Sequence, residues 1–131
     1  MSKTLIDDYE AISAVVQLYI DGSAKGDGAK LRAAFHPDAR MYGQAGGRRV
    51  DLPIEKFIAM AEKGPMDVNG SYRGRLVSVE QVGGAAVATL AEDGCWGTVS
   101  FVDYFALSRI EGTWKIVNKI FEHTGGTMPG S

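Results

Sequence analysis

At 131 residues, 45% apolar and 23% charged, the chain has the composition of a single soluble folded domain, and no apolar run approaches the roughly 20 residues of a membrane helix. Fourteen basic and sixteen acidic side chains nearly cancel, which argues against a nucleic-acid partner. The lone cysteine, Cys95, excludes an intrachain disulfide and a cysteine-rich zinc site, and the N-terminus lacks the apolar core of a signal peptide, so the cytoplasm is the expected compartment.

Taken in chain order, residues 5–24 read as a helix capped by Thr4, with Asp7 completing a capping box. Its stripe is Leu5, Tyr9, Ile12, Val16, Tyr19 and Ser23, spaced alternately four and three. Gly26 and Asp27 break and restart the helix. A short second helix is predicted over 28–35, stopped by Pro37. Residues 39–44 and 48–52 read as a hairpin across Gly46-Gly47. A third helix starts at Pro53, turns Ile54, Phe57, Ile58 and Ala61 inward, and ends at Gly64-Pro65.

From residue 71 the period changes to two. Strands are predicted over 72–82, 85–93, 96–109 and 113–123, joined by turns at Gly83-Gly84, Asp93-Gly94 and Glu111-Gly112. Helices first and strands later predict an α+β fold, one antiparallel sheet with the helices on one face. A single domain over 1–124 is expected, followed by a frayed tail over 125–131.

The faces of the strands carry chemistry. Val99, Phe101, Asp103, Phe105 and Leu107 point one way, so Asp103 sits at the centre of an apolar row. A carboxyl there needs a partner or must stay protonated. The opposite row, with Val102, Tyr104 and Ala106, is too apolar for a solvent face and suits a second subunit. Tyr42, Met60 and Trp96 are candidates to line a cavity, and Asn118 shares a predicted face with Trp114, Ile116 and Ile120. The two histidines, His36 and His123, have no metal-binding spacing, and no glycine-rich stretch has nucleotide-binding spacing, so neither a metal nor a cofactor is expected.

The segments AVVQLYIDGSAKGD (14–27) and FHPDARMYG (35–43), and the late hairpin FVDYFALSRIEGTWKIVNKIFEH (101–123), resemble the nuclear transport factor 2-like superfamily. That superfamily includes ketosteroid isomerases and polyketide cyclases, and the nearest subgroup is similar to the proteins called putative lumazine-binding. The resemblance implies a curved sheet wrapped around three helices into a cone, a cavity at its open end, and a homodimer through the outer sheet face. Tyr19 and Asp103 resemble the positions that form the oxyanion hole of the ketosteroid isomerases, where the Asp is kept protonated. The position resembling that family's general base is Gly43, which cannot take a proton.

Three functions stay open. The first is binding of a partly apolar, carbonyl-bearing small molecule by Tyr19 and Asp103, with Tyr42, Met60, Trp96, Phe101, Phe105 and Asn118 around it. The second is an enolate-type isomerase, lyase or cyclase with Tyr19 and Asp103 as oxyanion donors and an unidentified base. The third is a dimeric interaction module without chemistry.

Overall fold

A computed structural model describes residues 4–130. Helix α1 (Leu5–Lys25) opens with the expected capping box: Thr4 Oγ1 accepts from the Asp7 amide and Asp7 Oδ2 from the Thr4 amide, both at 3.1 Å. Its buried face holds Ile12, Val16, Tyr19 and Ser23. At the helix start that face belongs instead to Asp8, which accepts from Arg109, Gln81 and Trp114. Leu5 and Tyr9, expected inside, are therefore exposed. Gly26, with φ of 70°, closes α1, and Asp27 caps α2 (Gly28–Ala34) through the Lys30 amide.

Six strands follow: β1 (Phe35–Ala45), β2 (Arg48–Pro53), then after α3 (Ile54–Lys63), β3 (Arg73–Val82), β4 (Ala85–Cys95), β5 (Val99–Ile110) and β6 (Thr113–Gly125). They form one unclosed sheet in the order β2-β1-β6-β5-β4-β3. Bulges in the β3–β4, β4–β5 and β5–β6 ladders bend it, and the helices fill the concave side, giving the α+β cone. No helix among the described residues is long and apolar enough to cross a membrane.

Three expectations need correction. The sheet is not wholly antiparallel, because β1 pairs with β6 in parallel. Hairpin turns fix only the pairing of neighbours in sequence, and the β1–β2 hairpin docks on the last strand. Phe35 is not helical but begins β1 as the cap of α2. The chain does not reverse at Asp93-Gly94. Gly94, with φ of 66°, sits instead at a bulge against Ser71, and β4 runs on to Cys95. The reversal falls at 96–98, where Trp96 and Gly97 have positive φ. At the C-terminal end Met128 packs against the core.

Candidate functional site

The inward row of β5 keeps strict alternation: Val99, Phe101, Asp103, Phe105 and Leu107 are all buried. On β4 the inward row is Ala86, Ala88, Leu90 and Glu92. Register places Glu92 opposite Phe101 and Asp103 opposite Leu90, which makes the two acids diagonal neighbours. On β6 a bulge intervenes. Leu107 faces Ile116 but Ala106 faces Asn118, so Val117 is an extra residue and the inward set shifts from even to odd numbers. Lys119 and Phe121 point in, and Lys119 becomes the diagonal neighbour of Asp103. Three ionisable side chains, Glu92, Asp103 and Lys119, thus cross β4, β5 and β6 as one diagonal, exposed by only 1%, 1% and 3%.

All three line a cavity of about 210 Å³ at the open end of the cone. Its remaining wall is almost wholly apolar, with Met41, Leu52, Phe57, Trp96, Phe101 and Phe121 prominent. Met60, more than half exposed, stands at its rim, and Met128 from the C-terminal segment also lines it. Trp96 is oriented by donating its indole N–H to the Gly64 carbonyl at 3.0 Å. His123, tilted against Phe101, accepts from the Gly46 amide at Nδ1, and its Nε2 bonds the Gly126 carbonyl at 2.6 Å. The ring therefore joins the β1–β2 turn to the segment that carries Met128.

Burial pushes the Glu92 carboxyl well above the usual range, and the neighbouring Asp103 pushes it further; Lys119 and the Tyr72 hydroxyl pull the other way. Tyr72 Oη donates to Glu92 Oε2 at 2.7 Å. Glu92 Oε1 and both Asp103 oxygens have no hydrogen-bond donor among the described residues. A proton held by Glu92 satisfies part of that deficit and gives the cavity an O–H donor. The Lys119 ammonium lies over aromatic faces, 3.9 Å from the Phe57 centroid and 5.0 and 5.4 Å from those of Tyr19 and Phe121. Cys95 is held as a thiol by burial and by the nearby acids, which leaves it a poor nucleophile.

Of the candidates read from sequence, Met60, Trp96, Phe101 and Asp103 come together around this cavity. Tyr19 and Phe105 lie one layer deeper. The Tyr19 ring stacks on Phe57 and meets Phe35 and Phe105 edge-on, and its hydroxyl, beside Ser23, is buried without a hydrogen-bond partner among the described residues. Tyr42 points away from the cavity because its neighbour Met41 takes the inward position on β1. Asn118 is turned to the outer face by the β6 bulge. At Gly43 a Cβ would collide with the Phe121 carbonyl oxygen, so any side chain is shut out where the isomerase resemblance would put a base. Glu92 and Lys119 were not among the sequence candidates.

Residues 7–122 match the protein family described as "Putative lumazine-binding". The chain belongs to that family. An NTF2-like protein of unknown function from Shewanella baltica OS155 superposes with a TM-score of 0.85 at 26% identity, over 95% of this chain and all of the other. One from Methylobacillus flagellatus KT does so with a TM-score of 0.83 at 30% identity, over 93% and 96%. In sequence the chain is similar to "Aldolase FrzH" of Cladobotryum sp., 23% identical over 114 residues, covering 87% of this chain and 90% of that protein. Family and fold together support a ligand-binding domain.

Proposed function

We propose that the cone binds a small, mostly apolar compound carrying one carbonyl group, in the cytoplasm, with the carbonyl oxygen directed at the Glu92–Asp103 pair. The observation that carries this reading is a buried acid pair, one member pushed toward protonation, facing an otherwise apolar cavity. A carboxylic acid kept neutral by its surroundings donates a hydrogen bond without the desolvation cost of a charge. Glu92 presents that donor at the cavity wall beside Asp103, and Tyr19 supports the wall from beneath. The cavity, about 210 Å³, falls below the roughly 300–1,000 Å³ typical of drug-sized pockets, so the ligand is a single ring or a short chain.

The test compares native mass spectrometry of the purified protein with a denatured extract. The expected result is a retained mass that denaturation releases and that reacts with a hydrazine, as a carbonyl does. It should be lost from Glu92→Leu, where the donor is replaced by an apolar group. A retained compound without a carbonyl, or retention unchanged in the variant, would refute the reading.

A second reading is enolate-type chemistry on the same carbonyl. It is favoured by Lys119 on the same diagonal as the acids, since a cation or amine beside a polarised carbonyl suits proton abstraction or carbon–carbon cleavage at the adjacent carbon. The similarity to a protein named as an aldolase supports the same class. We also propose a homodimer through the outer face of the sheet, where Val87, Tyr104 and Ile120 are about half exposed. Burial of ~800 Å² per partner is expected there. Sedimentation as a monomer at micromolar concentration would refute it.

A further inference from the structure

We infer that Lys119 is a nucleophile: its Nζ condenses with the carbonyl carbon of the bound compound to form a Schiff base, with the Glu92–Asp103 pair moving the protons. The inference rests on the carbonyl-binding reading above and adds a covalent step to it.

Three observations carry it. Lys119 and Asp103 line one cavity, so a carbonyl group lying against the acid pair has the amine beside it. The Lys119 head lies against the faces of Phe57, Tyr19 and Phe121, and these rings together with the buried stem restrict where the amine can go. The Lys119 charge is also felt at Glu92, where it opposes the upward shift of the carboxyl, so the amine and the acid pair are electrostatically coupled. With one proton on the acid pair and three on the amine, the trio is neutral. In the proposed step one amine proton passes to the remaining carboxylate, the trio stays neutral, and the nitrogen is left with its lone pair.

The step balances. The nitrogen lone pair attacks the carbonyl carbon while the C=O π pair moves to oxygen, which takes a proton from the acid pair. The nitrogen returns a proton to the pair. The C–O bond then breaks as the oxygen takes its second proton and leaves as water, and the nitrogen lone pair closes the C=N bond. Ammonium and ketone become iminium and water, so charge is conserved. The carboxyl pair ends with the one proton it began with, and its remaining carboxylate faces the iminium. Tyr72 Oη, bonded to Glu92 Oε2 at 2.7 Å and only half-buried, holds Glu92 in place for these transfers.

The probe is acetylacetone, a small 1,3-diketone that converts a reactive amine into an enaminone with its own ultraviolet absorbance. After reaction with the full chain, peptide mapping locates the product. Lys119 is expected to be labelled at least tenfold faster than any of Lys25, Lys30, Lys56, Lys63 and Lys115. That preference should vanish in urea. Glu92→Gln, folded by circular dichroism, should slow Lys119 labelling at least tenfold, and Lys119→Arg should remove the fast phase of the absorbance rise.

Labelling of Lys119 no faster than the other lysines overturns the proposal. Quenching of Trp96 fluorescence, absent in Trp96→Phe, reports entry of the diketone without reaction. Quenching without labelling would overturn the Schiff base and leave the carbonyl-binding reading standing. Neither quenching nor labelling would count against both.

Discussion

Replacing Glu92 by Gln removes one titrating group while keeping the side chain's shape and an oxygen to accept from Tyr72. In the native protein Glu92 holds its proton more tightly than the unfolded chain does, because burial and Asp103 both disfavour its charge. Below the unfolded value, 4.5, both states are protonated and Glu92 contributes no pH dependence. Above it the unfolded chain releases its proton while the folded state keeps it. Stability must then fall as pH rises, until the raised folded value is passed. The slope for one group is at most about 1.4 kcal/mol per pH unit. Glu92→Gln cannot lose a proton and is free of that slope. Urea unfolding at pH 4, 5, 6, 7 and 8, with the m-value checked for constancy, should show the variant gaining on the native chain above pH 4.5 by up to that amount per unit. A difference that is flat with pH would refute the reasoning. So would a variant that grows relatively weaker as pH rises, since that would mean an ionised Glu92 held by Lys119.

Two further substitutions separate packing from chemistry. Tyr19→Phe keeps the ring that packs on Phe57 and Phe105 and removes a buried hydroxyl with no hydrogen-bond partner among the described residues. It should change stability by less than about 1 kcal/mol and leave retention of the bound compound intact, as checked by urea unfolding and native mass spectrometry. Gly43→Ala drives a methyl group into the Phe121 backbone across the β1–β6 pair and should cost about 3 kcal/mol, read by the same unfolding assay; tolerance of the methyl would contradict the close approach of these strands.

Most of the fold was legible because the patterns that specify it are local. The capping box at Thr4 and Asp7, the left-handed Gly26, and the turns at Gly83-Gly84 and Glu111-Gly112 act over a few residues. The β1–β6 pairing was not legible, since nothing in either strand states which distant edge it will meet. Asp103 stood out because its row on β5 alternates without interruption. Glu92 was within reach of the same reasoning, in the row of Ala86, Ala88 and Leu90. The turn dipeptide Asp93-Gly94 drew attention to the wrong end of that strand, where glycine serves a bulge and not a reversal.

Lys119 is the instructive case. Simple alternation from Trp114 and Ile116 predicts Asn118 and Ile120 inside and a solvated lysine outside. One extra residue on β6 inverts that assignment. Its effect on the site is electrical as much as geometric. Without the bulge the cavity would hold two buried carboxyls and no cation, and only a fully protonated pair would avoid a bare charge in an apolar wall. With it, the ammonium stands on the same diagonal as the acids, and its charge eases the ionisation of Glu92. All three side chains line the same cavity. The residue that bends β6 thus helps shape the cone and also determines which charges line its interior.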